Sequence, residues 1–426
     1  MTAAPAPPPL QLATFDDALG RRVVDTHIWA VREGLRGATA YELFDGYCQR
    51  LVVDGCLLWR GHVAMETLHP QWSGYGYTWR RDLNAIQPEQ YAHDADDAIW
   101  LASPLYDLIR RAHAGEDSPQ MRRRLTEGPD QRDYVVLEEF HAQGATDYFA
   151  KLFVFGEGGD RSQGSGAVYS FTTDRRDGFT EDDTTLLQMT LPALSLAMKS
   201  HAGHVIASGL LRTYLGEDAG RRVHAGAVAR GSVDSVHAVL WYADIRGFTR
   251  ASDAAPGLLI IEMLDDVFEI MTAALRPHGG QVLKFIGDGL LATFAFEPAD
   301  RARTCQRALD AATQAMRELE ARNAARTAAG VPAVAVDLAL HVGDVLYGNV
   351  GAADRLDFTV IGPAVNEVAR IEALCEPLGR AVLASAEFVT AAEESGSRLE
   401  PLGRYALRGV SGEKEIFALD LSADPP

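Results

Sequence analysis

The sequence predicts an α+β fold, and three observations support this prediction: the length, the composition and the alternation of two hydrophobic patterns. The chain has 426 residues, of which 47% are hydrophobic and 23% are charged. These proportions are typical of globular proteins, so a sizeable core can be buried in two or three domains and wholesale disorder is excluded. Runs of β-favouring residues alternate with stretches whose apolar residues recur every three or four positions, which are the patterns of strands and helices.

The charge balance limits the classes of partner. Asp and Glu number 59 against 40 Lys and Arg, so the formal net charge is −19. Nucleic acids and anionic membranes attract basic surfaces, and we therefore expect neither as a partner. A small anionic substrate that brings its own cations is compatible with this charge.

Cysteine use and the N-terminal sequence indicate a soluble, cytoplasmic protein. The four cysteines form no CxxC pair, so we expect reduced core thiols rather than a disulfide framework or a zinc site. Residues 1–17 lack the basic and apolar regions of a signal peptide. The longest uncharged apolar stretch, Thr185 to Met198, is too short to span a bilayer.

Residues 16–200 are expected to form a first α+β module, after a disordered Ala/Pro-rich tail over residues 1–15. A helix is indicated by YELFDGYCQRL and a strand by CLLWRGHVAMETL. A polar stretch containing RRRLTEGPDQRD interrupts the pattern. Two further strands, DYFAKLFVFG and GAVYSFTT, flank the Gly/Ser-rich loop GEGGDRSQGSG. A long apolar helix follows Thr180, which is the candidate N-cap.

The end of this module, FTTDRRDGFTEDDTTLLQMTLPALSLAM, resembles the end of GAF-type sensor domains. The resemblance implies a GAF-like sensor or regulatory domain with a small-molecule ligand; a module that only dimerises is the alternative. Four aromatic residues either line a ligand pocket or form an ordinary core: Trp72, Tyr75, Tyr77 and Trp79. Residues 201–236 are expected to form a helical linker with a turn at Gly220.

From residue 237 onwards, strand and helix patterns alternate regularly. HAVLWYAD predicts a buried strand, and a helix is expected from Pro256 to the glycine pair at 279–280. The residues expected on its buried face are Ile261, Leu264, Phe268, Met271 and Leu275. QVLKFIGDGLLATF predicts a hairpin, and a second helix is expected over residues 300–322. A strand in AVAVDLALHVG, a helix from Pro363 and three terminal strands complete the module.

Two carboxylates occupy unusual positions in this second module. Asp244 ends an apolar strand, and Asp288 lies at the hairpin tip between two glycines. Either residue alone is typical of a turn. If neighbouring strands bring them together, they form a hard-oxygen site suited to Mg²⁺ or Mn²⁺, and Gly247 leaves room for backbone N–H groups to approach an anion. The sequence contains no GxxxxGK(S/T), HExxH or GxSxG motif, so it does not support an ATPase, a zincin or a serine hydrolase.

Five motifs resemble, in order and spacing, the catalytic domain of class III adenylate/guanylate cyclases: WYADIRGFT, LKFIGDGLLATF, LYGNVG, DFTVIGPAVNEVAR and LRGVSGEKEIFAL. The resemblance covers residues 237–421. It implies a ferredoxin-like fold, with a central antiparallel-rich sheet flanked by helices. It also implies a homodimer with ATP sites between the protomers, and an adenylate cyclase reaction that uses two divalent cations, Mg²⁺ or Mn²⁺.

The resemblance extends to individual site residues. The metal-binding positions of the family correspond to Asp244, to Ile245 through its carbonyl, and to Asp288. The turn whose backbone holds the phosphates corresponds to Gly247, Phe248 and Thr249, and the purine-selecting lysine to Lys284. The residues that orient the ribose and stabilise the transition state correspond to Asn366 and Arg370. Independently of the family, a spacing of four puts these last two on one helix face.

The residue at position 359 bears on the base that is bound. Many adenylate cyclases have Asp seven residues before the catalytic Asn; here it is Thr359, whose hydroxyl can also accept a hydrogen bond from the adenine amino group. The combination of Lys284 with Thr359 resembles the bicarbonate-responsive subclass, whereas guanylate cyclases typically carry Glu and Cys. We therefore expect ATP as the substrate, bicarbonate as a candidate activator, and Asp357 apart from the base-reading position. A guanylate cyclase, or a non-catalytic nucleotide or bicarbonate sensor, is the alternative.

Two phosphate contacts stay open. The family often has a phosphate-binding Arg five places before the base reader; that position here is Asp354, and Arg355 follows it. Arg408 occupies a site where a Lys commonly meets the polyphosphate, and a guanidinium can supply the same charge. Each arginine either binds phosphate or is an ordinary surface cation.

Overall fold

The structure, a computed structural model, divides into two compact units, Met1–Leu210 and Leu211–Pro426. The residues it describes are 17–68, 72–83, 85–93, 98–155, 166–254, 256–392 and 398–421. The tail predicted over residues 1–15, and residues 156–165 of the predicted Gly/Ser-rich loop, lie outside the described residues.

The first unit is built on one antiparallel sheet. Its strands are β1 (Leu58–Glu66), β2 (Trp72–Arg80), β3 (Ala85–Ala92), β4 (Gln120–Arg124), β5 (Asp147–Val154) and β6 (Gly166–Thr173). They run in the spatial order β3-β2-β1-β6-β5-β4, and every neighbouring pair is antiparallel. The strands predicted at β1, β5 and β6 are confirmed. The polar stretch contains β4, an edge strand in which only Met121 is buried. Because three of its five residues are arginines, the hydrophobic pattern does not predict this strand.

Helices cover both faces of this sheet. They are α1 (Asp17–Arg36), α2 (Ala40–Val53), α3 (Ala98–Leu101), α4 (Pro104–His113), α5 (Val135–Ala142) and α6 (Glu181–Leu215). Residues of α1, α2 and α6 bury the larger core on one face, whereas α4 and α5 contribute to the core on the other. At the start of α6, the Thr180 hydroxyl accepts from the backbone N–H of Asp183 at 3.1 Å, which confirms the predicted N-cap.

Three of the predicted aromatic residues, Tyr75, Tyr77 and Trp79, alternate along β2 and pack into the larger core. Trp79 is only 3% exposed. The ring of Tyr77 meets that of Tyr41 edge-on, with the centroids 6.3 Å apart. This packing agrees with an ordinary aromatic core.

The second unit contains a sheet of eight strands. They are β7 (Val233–Ile245), β8 (Gln281–Ile286), β9 (Gly289–Ala295), β10 (Val336–Gly351), β11 (Leu356–Ile361), β12 (Val382–Ser385), β13 (Leu399–Ala406) and β14 (Glu413–Leu419). Seven strands run in the spatial order β13-β14-β12-β10-β7-β9-β8. The remaining strand, β11, pairs with the C-terminal part of β10. Only β10 and β12 pair in parallel among the described strands. This is the antiparallel-rich α+β architecture that the sequence predicts.

Helices also cover both faces of the second sheet. They are α7 (Glu217–His224), α8 (Phe248–Ala254), α9 (Gly257–Leu275), α10 (Arg301–Ala328), α11 (Pro363–Glu372), α12 (Cys375–Leu378) and α13 (Ala386–Ala392). The core on one face draws on α9, α10 and α13, and the core on the other draws on α7, α11 and α12. All four cysteines of the chain are buried free thiols, which confirms the prediction.

Two local predictions in this unit are wrong. Ile261, expected on the buried face of α9, is 54% exposed, because the buried stripe includes Met263, Val267 and Ile270 instead. α9 is apolar around most of its circumference, so residue spacing alone does not decide which face is buried. The turn expected at Gly220 occurs at Gly216, where φ is +87°, and Gly220 lies inside α7.

Two further features concern the ends of these elements. β7 begins at residue 233, within the segment 201–236 that was expected to be a helical linker. None of the helices in the described ranges combines the length and the apolar composition that crossing a membrane requires.

Candidate active site

Two carboxylates lie together at one end of the second sheet. Asp244 of β7 pairs with Gly289 of β9, so Asp288, the residue before Gly289, lies beside Asp244. Only Gly287 and Asp288 connect β8 to β9, and Gly287 has a φ of +63°, which favours glycine. The predicted hairpin is thus confirmed, and its tight turn places the second acid next to the first.

The two acids repel each other in a partly buried place. Burial raises the pKa of Asp244 to about 7, and the neighbouring charge of Asp288 adds to this shift. The backbone N–H of Ile245 donates to Asp244 Oδ1 at 3.1 Å and acts in the opposite direction. A bound cation would favour the state in which both carboxylates are ionised.

Two further side chains face this pair, and the sequence analysis assigned no role to either of them. Burial raises the pKa of Glu372 to about 8, and the charges of the nearby aspartates add to the shift. Burial likewise raises the pKa of Tyr242 to about 12, with Asp244 as the next cause. The sequence could have drawn attention to Glu372, because this acid is the last residue of the helix that carries Arg370.

The negative charge of a third aspartate at this end of the sheet is balanced by a neighbouring arginine. Asp337 of β10 pairs with Asp244 across the sheet and is 4% exposed. Both of its oxygens accept from Nε of Arg246 at 3.0 Å, and Nη2 of Arg246 makes a further contact. Among the described residues, no basic side chain forms an ion pair with Asp244 or Asp288. These two carboxylates therefore carry the uncompensated charge.

The space beside Asp244 is kept open by Gly289. A Cβ at this position would lie 3.1 Å from the carbonyl oxygen of Ala243 and 3.2 Å from Asp244 Oδ1, so a side chain would crowd the carboxylate. Carboxylate and carbonyl oxygens are the donors that Mg²⁺ and Mn²⁺ prefer. The unpaired acids, the raised pKa and the open space together fit divalent cations.

The turn after β7 is exposed. Gly247 has a φ of +72° with no atom within 4 Å of the place of a Cβ, so the requirement for glycine is conformational. α8 begins at Phe248, whose ring packs partly against the core, while Thr249 is exposed. The backbone of this turn therefore faces solvent three to five residues after Asp244.

Lys284 forms an ion pair with Asp357, which joins β8 to β11. Thr359 lies two residues after Asp357 on the same strand, so both side chains share one face of β11. Asp357 is thus a neighbour of Thr359 on this face, and the assignment of the base-reading position to Thr359 stays a prediction.

α11 presents Asn366 and Arg370 to solvent on one face. Glu372 follows Arg370 by two residues, which is a rotation of about 200° at about 100° per residue. Because Glu372 faces the acid pair of its own chain, Arg370 points away from it. On this helix geometry, Asn366 and Arg370 lie on a different side of α11 from Glu372.

Arg355 and Arg408 lie in exposed segments. Arg355 belongs to the turn between β10 and β11, at the opposite end of β10 from Asp337, and its carbonyl accepts from the N–H of Ala352 at 2.8 Å. Arg408 lies between β13 and β14; β14 is three strands from β7, about 14 Å at about 4.8 Å per strand. The described chain does not bring either arginine to the acid pair.

Comparison with known proteins locates the similarity in the second unit. Residues 230–420 match the family model of the adenylate and guanylate cyclase catalytic domain. Adenylate cyclase 1 of Rhizobium meliloti is 30% identical over 176 residues, which are 41% of this chain and 26% of that protein. Adenylate cyclase of Anabaena cylindrica is 31% identical over 159 residues, 37% of this chain and 31% of that protein.

Among solved structures, the adenylyl cyclase CyaB from P. aeruginosa is 22% identical, with a TM-score of 0.41 over 46% of this chain and 97% of that one. The matched segment spans only about a quarter to a third of the length of the two curated relatives. The GAF-like interpretation of the first unit stays a prediction.

Proposed function

We propose that the protein is an adenylate cyclase, which converts ATP to 3′,5′-cyclic AMP and pyrophosphate, since residues 230–420 match the family model of the adenylate and guanylate cyclase catalytic domain. In this reaction the ribose 3′-oxygen attacks the α-phosphorus, and the bond to the bridging oxygen breaks as pyrophosphate leaves. The single observation that carries the proposal is the pair of Asp244 and Asp288, two adjacent carboxylates without a basic partner among the described residues.

We expect Asp244, Asp288 and the carbonyl of Ile245 to hold two divalent cations, Mg²⁺ or Mn²⁺. When bound, such cations lower the pKa of a hydroxyl nucleophile and neutralise charge on the phosphates. The chain itself contributes the exposed backbone of the turn at residues 247–249, whose N–H groups are available to phosphate oxygens.

Asn366 and Arg370 are proposed to act on the reacting part of the nucleotide. Asn366 orients the ribose, and Arg370 neutralises charge that builds on the α-phosphoryl group. By analogy with donors in oxyanion holes, this neutralisation contributes roughly 10²–10³ in rate. We assign no side chain as a general base, because a cation can acidify the 3′-hydroxyl or the substrate can take its proton.

Each site is proposed to be shared between two protomers. Arg370 points away from the acid pair of its own chain, so it is placed to serve the acid pair of a partner. The second unit also exposes apolar side chains that a partner could cover: Leu258, Leu259, Ile261, Phe285, Ile286, Leu346 and Ile361. A two-fold axis would then create two equivalent sites from one surface.

Lys284 and Thr359 are proposed to read adenine by one donor and one acceptor. Lys284 cannot accept from guanine N1–H as a glutamate can, which favours ATP over GTP. The ion pair with Asp357 supports this role, because it fixes the ammonium on the face of β11 that also carries Thr359. Arg355 and Arg408 are candidate phosphate contacts only if a partner chain brings them to the nucleotide.

Regulation is proposed to come from two sources. The first unit, which we interpret as a GAF-like sensor, would change the cyclase rate when it binds a small molecule. The Lys284–Thr359 combination additionally suggests stimulation by bicarbonate.

The function is tested by incubating the purified full chain with ATP or GTP, each with Mg²⁺ or Mn²⁺, and identifying the cyclic product by chromatography. We expect cyclic AMP, formed about 5- to 150-fold faster than cyclic GMP, since one mismatched buried hydrogen bond is worth about 1–3 kcal/mol. Asp288→Ala should fold and yield no product, while the matched control Glu320→Gln, an exposed acid of α10, should retain activity. A preference for GTP would make the protein a guanylate cyclase, and folded protein without any product would make it a non-catalytic sensor.

A further inference from the structure

A second cluster of metal-binding side chains lies behind α11 and uses none of the proposed active-site residues. His341 of β10, Glu367 of α11 and Glu387 of α13 each place one nitrogen or oxygen within 4.8 Å of those of the other two. His341 is 4% exposed and Glu367 is 8% exposed. The cluster therefore joins three elements of the second unit in a largely buried place.

Lys414 of β14 occupies the position of a cation in this cluster. Its Nζ lies 2.7 Å from Glu367 Oε1 and 2.8 Å from Glu387 Oε1. The contact with Glu387 is a hydrogen bond. The contact with Glu367 Oε1 is equally short, so the ammonium of Lys414 pairs with both carboxylates.

The charges in the cluster do not balance. Two carboxylates meet one ammonium, and burial lowers the pKa of His341, so that its imidazole is neutral at about pH 7.5. One negative charge is therefore left over at a cluster in which His341 and Glu367 are buried. A doubly charged ion in place of the ammonium would balance the two carboxylates.

We propose that His341, Glu367 and Glu387 form a binding site for a divalent transition metal of the zinc class, which enters when the Lys414 side chain moves out. One imidazole with two carboxylates suits such ions and leaves a coordination position open. Donors around a tetrahedral zinc with bonds of about 2.1 Å lie about 3.4 Å apart. Here His341 Nδ1 and Glu387 Oε2 are 4.0 Å apart, so small side-chain movements close the site.

The surroundings allow a metal ion to enter. The side chain of Lys414 is 25% exposed and that of Glu387 is 41% exposed, so the cluster opens to solvent on their side. The Ser385 hydroxyl lies 2.8 Å from His341 Nδ1 and would release this nitrogen when a metal binds it. Because Glu367 directly follows Asn366 on α11, metal binding would act on the helix that presents Asn366 and Arg370. Any effect on cyclase activity rests on the proposed function, whereas metal binding does not.

The site is tested with Co²⁺, whose visible absorption reports a protein-bound ion, in the full chain carrying Asp244→Asn and Asp288→Asn to silence the acid pair. We expect this protein to bind one equivalent of Co²⁺, which Zn²⁺ displaces. Lys414→Met should bind it at least about tenfold more tightly, because the competing ammonium is gone. Lys199→Met, which removes a lysine from the first unit, is the matched control and should change nothing.

Glu387→Gln decides the ligand assignment, because Glu387 is part-exposed and its replacement should leave the fold intact. Loss of the Co²⁺ spectrum in this variant supports the site. An unchanged spectrum in Glu387→Gln, or no binding by the folded Lys414→Met protein, would overturn it. If Lys414→Met does not fold, the comparison of Glu387→Gln with its parent at saturating Co²⁺ gives the same decision.

Discussion

The charge of Asp288 should destabilise the protein when no cation is bound, and Asp288→Asn tests this directly. The ordinary pKa of Asp244 is 3.8, and burial together with Asp288 raises it to about 7. The folded, metal-free protein thus binds this proton more tightly than the unfolded chain does. The stabilising contribution of this bound proton is fully present below about pH 4 and is lost as the pH rises through about 7.

The size of the effect follows from the same values. The span from 3.8 to about 7 corresponds to about 4 kcal/mol at about 1.36 kcal/mol per pKa unit. Burial is the largest cause and water still reaches the site, so we assign about 1–2 kcal/mol to Asp288. Removing the charge of Asp288 should also lower the pKa of Glu372, because the Asp288 charge is one of the causes that raise it.

The assay is thermal unfolding in EDTA at pH 8 and pH 5. Asp288→Asn should melt about 2–8 °C above wild type at pH 8, and close to wild type at pH 5, where Asp244 is mostly protonated. Added Mn²⁺ should reverse the order at pH 8, because only wild type keeps both carboxylates. Glu320→Gln, which removes an exposed charge from α10, should show neither effect. A shift of equal size at both pH values, or a lower melting temperature at pH 8, would refute the electrostatic reasoning.

Four other perturbations have defined outcomes. Asp337→Ala should lower the free energy of unfolding by about 1–3 kcal/mol in a urea titration, because it removes the charged hydrogen bonds from Arg246; an unchanged free energy would show that the pair is not structurally important. Lys284→Glu combined with Thr359→Cys should lower the ratio of ATP to GTP turnover, and an unchanged ratio would count against the base assignment. Bicarbonate titrated at constant pH and ionic strength should raise the cyclase rate, and a flat titration would remove the proposal of bicarbonate stimulation. Deletion of residues 1–200 should alter the basal rate, and an unchanged rate would remove the proposal that the first unit regulates the cyclase.

The parts of the fold and site that the sequence predicts are those set by local chemistry. The turn between β8 and β9 needs a glycine with positive φ, and the Gly-Asp-Gly sequence predicts both the turn and the place of Asp288. Spacing on α11 likewise predicts that Asn366 and Arg370 share a face. These features depend on neighbours in the chain, so no knowledge of the tertiary structure is needed to see them.

The parts that the sequence does not predict depend on packing between distant segments. Glu372 faces Asp244 only because of how α11 is rotated against the sheet, and Asp337 reaches Arg246 across the register of β7 and β10. The ion pair of Lys284 with Asp357 requires β11 to fold against β8. Hydrophobic pattern carries no information on such contacts, since every residue involved is charged.

The central claim is that the acids of one protomer and Arg370 of its partner build one cyclase site. The most direct measurement mixes Asp244→Ala with Arg370→Ala, each almost inactive alone, and follows cyclic AMP formation after subunit exchange is confirmed. Random mixing makes half of the dimers heterodimers, each with one intact site, so activity should recover to about a quarter of wild type. A mixture that exchanges subunits and stays inactive would contradict the shared site.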